Sequence, residues 1–154
     1  MKSQSAFSAT MAATVLAGSL AVGYALAEAQ KEVAFIPHDK LQAALDNKAD
    51  IHLLVADDVI VEGNYRNKAG IPELHTALMD TIYITEGETT MVTGGTMVGG
   101  HSIGPGQIRG TSITGGMTYH LTKGDVIVIP ANIPHWFKEV PTEVKYYVVK
   151  VLKQ

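Results

Sequence analysis

The sequence predicts an all-β fold, a sandwich or barrel, with one short helix near its start. Short runs rich in β-branched and aromatic residues recur from residue 51 onward, and Gly, Pro, Asn and Asp punctuate them. The chain holds 15 Gly, which supplies many sites for sharp turns. Only one segment places apolar residues at helical spacing. The chain has 154 residues, 46% hydrophobic and 18% charged, so it holds one domain with a buried core and is not disordered.

The elements follow in order. Residues 1–27 contain one charge, Lys2, and no acid. Small and apolar residues run from Ala9 to Ala27, and Ala25-Leu26-Ala27 has the A-x-A form of a cleavage site. This describes a secretory signal peptide; an uncleaved membrane anchor is the alternative, because about 18 apolar residues span a bilayer. Cleavage predicts a mature chain of residues 28–154 that is exported, periplasmic or secreted, and no longer inserted in a membrane. Its loss removes one base, taking the net charge from -3 to -4. A net negative charge argues against nucleic acid as a partner. With no Cys, the chain has no disulfide, no thiolate ligand and no lipidated Cys.

In the mature chain, Pro37-His38-Asp39 precedes Leu41, Ala44 and Leu45, which predicts a short helix capped by Asp39 and ended by Asn47 to Asp50. Strands are expected at 51–55, 59–61, 82–84, 89–92, 117–121, 126–129, 135–140 and 144–152. The stretch from Gly94 to Gly116 is small and polar and reads as a loop, anchored by Ile103, Ile108 and Ile113 or partly disordered. Tyr146 to Val149 form a strand apolar on both faces, which calls for cover on both sides, by the opposite sheet and by another subunit.

Residues that bear chemistry cluster in two places. Glu73 and His75 are two apart and share a face in an extended strand; Asp80, Ile82 and Ile84 share another, and His135 and Phe137 a third. Imidazole and carboxylate groups meeting from separate strands form an N/O site suited to Fe, Mn, Ni, Cu or Zn. Tyr83 and Trp136 alternate with these inward residues and are expected to face outward. No P-loop, dinucleotide fingerprint, zinc-protease His pair or nucleophile elbow is present in the sequence.

Gly124, Pro130 and His135 match the spacing of the second cupin motif, with Asn132 at its second Gly, a replacement that tolerates left-handed backbone. Asp80 and Gly87 match the Glu and Gly of the first motif, and His75 matches one His of its His-x-His. The other His is missing: Glu73 stands there in one register and Ala77 in the other. The chain thus resembles the cupin family over most of residues 50–152. The resemblance implies a jelly-roll barrel, with His75, Asp80 and His135 as ligands of one divalent transition-metal ion. Glu73 is the fourth ligand in one register; water takes that place in the other. A metal-free barrel is the alternative, since some cupins hold no metal. Homodimers are common in the family, so a homodimer is expected.

Around the metal, Phe137 and Ile82 would line a pocket for a small organic molecule. His120 either faces that pocket or points outward. Arg109 either clamps a carboxylate or sugar hydroxyl or is a solvated arginine. His38, His52 and His101 read as surface residues. Two functions follow. One is a metal-dependent enzyme, most simply a dioxygenase-like oxidoreductase, with isomerase and lyase chemistry also compatible. The other is a non-catalytic module that binds or senses a small ligand.

Overall fold

The computed structural model describes residues 33–153. The signal-peptide reading of residues 1–27 lies outside the described residues. Helix α1 spans His38–Asp46. Twelve strands follow: β1 (Ile51–Val55), β2 (Val59–Arg66), β3 (Glu73–His75), β4 (Leu78–Thr93), β5 (Thr96–Val98), β6 (His101–Gly104), β7 (Gln107–Arg109), β8 (Ser112–Thr114), β9 (Met117–Thr122), β10 (Val126–Ile129), β11 (His135–Glu139) and β12 (Val144–Leu152). All pairing is antiparallel. The main sheet runs β1-β2-β12-β4-β11-β3-β7-β6, with β9 and β10 also paired to β4. Among the described residues the result is a curled, all-β half-barrel with one short helix, as the sequence predicts.

β4 organises the curl. Its first half pairs with β12 and β10, and its second half with β11 and β9. The expected strands at 82–84 and 89–92 are therefore one strand of 16 residues. Gly87 lets it continue through the corner. Its φ is +76°, and a Cβ there would collide with the carbonyl of Glu143 on the facing turn. The core lies inside the curl and includes Ile82, Ile84, Met91, Ile129, Phe137, Val144, Tyr146 and Val148.

Three local expectations need correction. Asp39 does not cap α1. Pro37 holds the cap position with no side-chain hydrogen bond, and Asp39 accepts from the neighbouring Lys40 N–H instead. The segment from Gly94 to Gly116 is not an unpaired loop: β6 and β7 join the main sheet, and β5 pairs with β8. Each of these strands is only three or four residues long, so no alternating run rises above the Gly and Ser background. Ile108 and Ile113 are half-buried there, but Ile103 is exposed. Finally, β2 extends to Arg66, because its polar residues face inward.

The outer face of β12 is partly covered by the chain itself. Ala34, Ile36 and Leu41 border a shallow groove with Val61, Tyr147 and Val149. Tyr147 stacks on Tyr83 across the strand pair, with ring centres 5.1 Å apart. Trp136 is half-buried, and its indole N–H donates to the Gly70 carbonyl at 2.8 Å. Among the described residues no helix is long and apolar enough to cross a membrane.

Candidate metal centre

Strand register assembles the site. Glu73 on β3 lies directly opposite His135 on β11 on one side and Arg109 on β7 on the other. His75, two residues on, lies opposite Gln107. Side chains directly opposite across antiparallel strands are close neighbours, so these pairs meet by construction. Asp80 comes from β4, where it sits opposite Lys150 on β12 and Ile129 on β10. The loop before β11 is fastened to β3: the Asn132 N–H donates to the His75 carbonyl at 2.8 Å. Asn132 has a φ of +66°, the left-handed backbone expected at the second motif's Gly position.

These groups converge in a cavity of about 530 Å³ inside the curl. His75, Asp80 and His135 are buried, and Glu73 is half-buried. Oδ2 of Asp80 lies 3.3 Å from Nε2 of His75 and 3.6 Å from Nε2 of His135. Oε2 of Glu73 lies 3.7 Å from Nε2 of His75. One ligand atom each from Glu73, His75 and His135 fall within 4.8 Å of one another. The structure therefore brings together all four residues expected from the sequence.

The second ring nitrogens decide what this cluster can hold. His135 Nδ1–H donates to the Ile133 carbonyl at 3.2 Å, and His75 Nδ1–H donates to Oε1 of Gln107 at 2.8 Å. In the neutral ring that leaves a lone pair on each Nε2, aimed inward. Burial pushes the His135 pKa below its ordinary value, against the opposing charges of Asp80 and Glu73, which keeps the ring neutral. Burial alone would raise Asp80, but the close approach of His75 and the charge of Lys150 lower it overall, so it stays a carboxylate. Among the described residues, His75 Nε2 and Asp80 Oδ1 are buried without a hydrogen-bond partner. Buried lone pairs facing a carboxylate call for a cation or a proton between them. The donor set therefore fits a divalent metal ion held by two imidazoles and one or both carboxylates.

Of the other expected residues, Phe137 and Ile82 line the cavity. Arg109 lines it too, with Nη2 3.1 Å from Oε2 of Glu73. His120 does not. On β9 the buried residue is Leu121, so His120 is on the opposite face, where it pairs with Glu88 at 3.2 Å on the exposed surface. His52 stands at the cavity's edge, 2.9 Å from Glu62, rather than apart from it.

Sequence reading missed Arg66, Gln107, Lys150 and the Tyr146 hydroxyl. Arg66 donates from Nε to Tyr146 Oη at 3.0 Å, and its Nη2 lies 3.3 Å from Oε1 of Glu73. Burial raises the Tyr146 pKa, which keeps its hydroxyl protonated. Lys150 reaches Asp80 at 3.8 Å and Glu62 at 3.7 Å. Period-two alternation held the signal: Ile60, Glu62, Asn64 and Arg66 form one face of β2, and all four line the cavity.

Comparison with known proteins bears on the fold. No family model and no curated protein matches this sequence. Among solved structures, protein BH2720 of Bacillus halodurans is similar at a TM-score of 0.57 and 16% identity, over 82% of this chain and 87% of that one. Protein NMB1881 of Neisseria meningitidis is similar at 0.53 and 9%, over 77% and 99% of the two chains. A cupin protein of Bacteroides fragilis gives 0.49 and 11%, over 79% and 83%. Identities this low speak to fold alone. What these structures share with this chain is the curled antiparallel β half-barrel, and its cavity is lined by Glu73, His75, Asp80 and His135.

Proposed function

We propose that this chain is an exported, metal-dependent enzyme acting on a small organic molecule, with dioxygenase-like oxidoreductase chemistry. The observation that carries the reading is the pair of anchored imidazoles: both Nδ1 atoms are tied to acceptors, and both Nε2 atoms face the carboxylates of Asp80 and Glu73. Two His and a carboxylate leave coordination positions open for substrate or dioxygen. An ion bound there supplies Lewis acidity toward a substrate oxygen. The chain's own residues supply the rest. Gln107 and the Ile133 carbonyl fix the ring orientations, Lys150 holds Asp80 ionised, and Phe137 and Ile82 shield the site from bulk water. Export is supported by the basic, apolar and A-x-A pattern of residues 1–27. A homodimer is supported by the exposed Val126 and Val128 on the outer face of β10.

Elemental analysis of the purified mature protein after reconstitution with Fe, Mn, Cu, Ni and Zn tests the metal. About one ion per chain is expected; less than about a tenth of an ion per chain for every metal overturns the reading. Cell fractionation with N-terminal sequencing is expected to find an exported chain beginning at Glu28. Light scattering is expected to give twice the chain mass.

A further inference from the structure

We propose that Arg66 and Arg109 form a carboxylate-recognition site, that Glu73 occupies it as an internal stand-in, and that the substrate is a small monocarboxylate with an apolar body. The proposal deepens the functional reading above by naming its substrate class. Its main test is made without metal, so the two fail separately.

The two guanidinium groups arrive from different strands, β2 and β7, and close on one carboxylate. Oε1 of Glu73 is 3.3 Å from Arg66 and Oε2 is 3.1 Å from Arg109. Among the described residues neither arginine ion-pairs with a second carboxylate. Both side chains are largely buried, at 24% and 19% exposure, and both are held in place without Glu73. Arg66 donates to Tyr146 and lies over the Phe137 ring at 4.8 Å; Arg109 donates to the Ile108 carbonyl at 3.2 Å. A preset pair of planar donors is the geometry that recognises a carboxylate.

Glu73 has a second destination. The same Oε2 that meets Arg109 lies 3.7 Å from Nε2 of His75, on the edge of the metal cluster. With a cation on the imidazoles, Glu73 would turn that oxygen toward them. The arginines would then face the cavity with their counter-charge withdrawn, and a buried unpaired charge is costly. A ligand carboxylate restores the pairing. Its carbon body meets Ile82, Leu78, Phe137 and Val148, which line the same cavity. Metal and carboxylate thus strengthen each other's binding through Glu73, and the coupling is reciprocal.

Calorimetry with butyrate, and with butyramide as its neutral isostere, tests this on the metal-free protein. Butyrate is expected to bind at least about tenfold more tightly than butyramide. Glu73→Gln is expected to tighten butyrate binding about tenfold by neutralising the stand-in, and Arg109→Gln to weaken it about tenfold. Arg109→Lys, which keeps the charge but loses the fork, is expected to fall between, and it guards against a misfolded glutamine variant. Equal binding of butyrate and butyramide, or an Arg109→Gln protein that melts normally and binds butyrate unchanged, overturns the proposal. So does an absence of butyrate binding by Glu73→Gln at tens of millimolar. Zinc loading is expected to tighten butyrate binding in the wild type and not in Glu73→Gln. An equal gain in both overturns the coupling and signals direct coordination of butyrate. A chain that takes up no zinc defeats the metal reading, while the metal-free comparison still decides this one.

Discussion

At the scale of single residues, the groups that orient ligands matter as much as the ligands. Gln107 contributes no atom to the cluster, yet its Oε1 at 2.8 Å fixes which nitrogen of His75 carries the proton. Gln107→Leu is expected to lower metal affinity about 10- to 100-fold with little effect on the fold, as measured by competition against a chromogenic chelator. Asn132 is a different kind of residue, retained for its backbone. At φ +66° an alanine pays the left-handed penalty, so Asn132→Ala should cost about 1 kcal/mol in urea melts, while Asn132→Gly should be close to neutral. The sequence reveals His75, Asp80, His135 and Glu73 because motif spacing and chemical type coincide there. It conceals Arg66 and Lys150 because a long cationic side chain on a strand is ordinarily solvated. Only the inward face of β2 and the register of β12 against β4 turn them toward the cavity.

At the scale of elements, β4 and the strands around it carry the design. Gly87→Ala meets a positive φ and the Glu143 carbonyl together, so the corner must shift. A loss of about 2–4 kcal/mol is expected, read as a fall in the urea midpoint with an unchanged slope. The seven strands β1, β2, β4 and β9 to β12, together with α1, are legible because each carries an alternating or helical pattern of its own. β5 to β8 are not, because their pairing is set by neighbours and by glycine turns rather than by any periodicity of their own. His120 illustrates the limit of motif proximity: it belongs to a strand next to the site, yet the parity fixed by Leu121 points it away. Ala44 and Leu45 bury the inner face of α1, and Lys145 bridges its end to β4, with Nζ 2.9 Å from Asp46 and 3.0 Å from Glu86. Hydrogen bonds to both carboxylates raise its pKa, which favours the charged ammonium.

At the scale of the whole molecule, the buried cluster makes stability depend on acidity. His135 has a pKa below its ordinary 6.5, so as pH drops past 6.5 the unfolded chain takes up a proton that the folded chain refuses. Stability falls from there until His135 itself titrates. Asp80, lowered from 3.8, contributes stability that is present above 3.8 and is lost as pH falls through its lower folded value. Urea melts of the metal-free protein are thus expected to weaken in two stages, with His135→Gln flattening the first and Asp80→Asn the second. Bound metal should be released over the first stage, when protons compete for imidazole. One further consequence belongs to the strand that turns the corner. Its four pairing partners, β9 to β12, are separate segments of the chain, and β12 is the last of them to be synthesised. Until that final segment emerges, the first half of β4 exposes an unzipped edge with Ile82 and Ile84 bare. The nascent chain should therefore be sticky and slow to settle, dependent on chaperones until β12 is available.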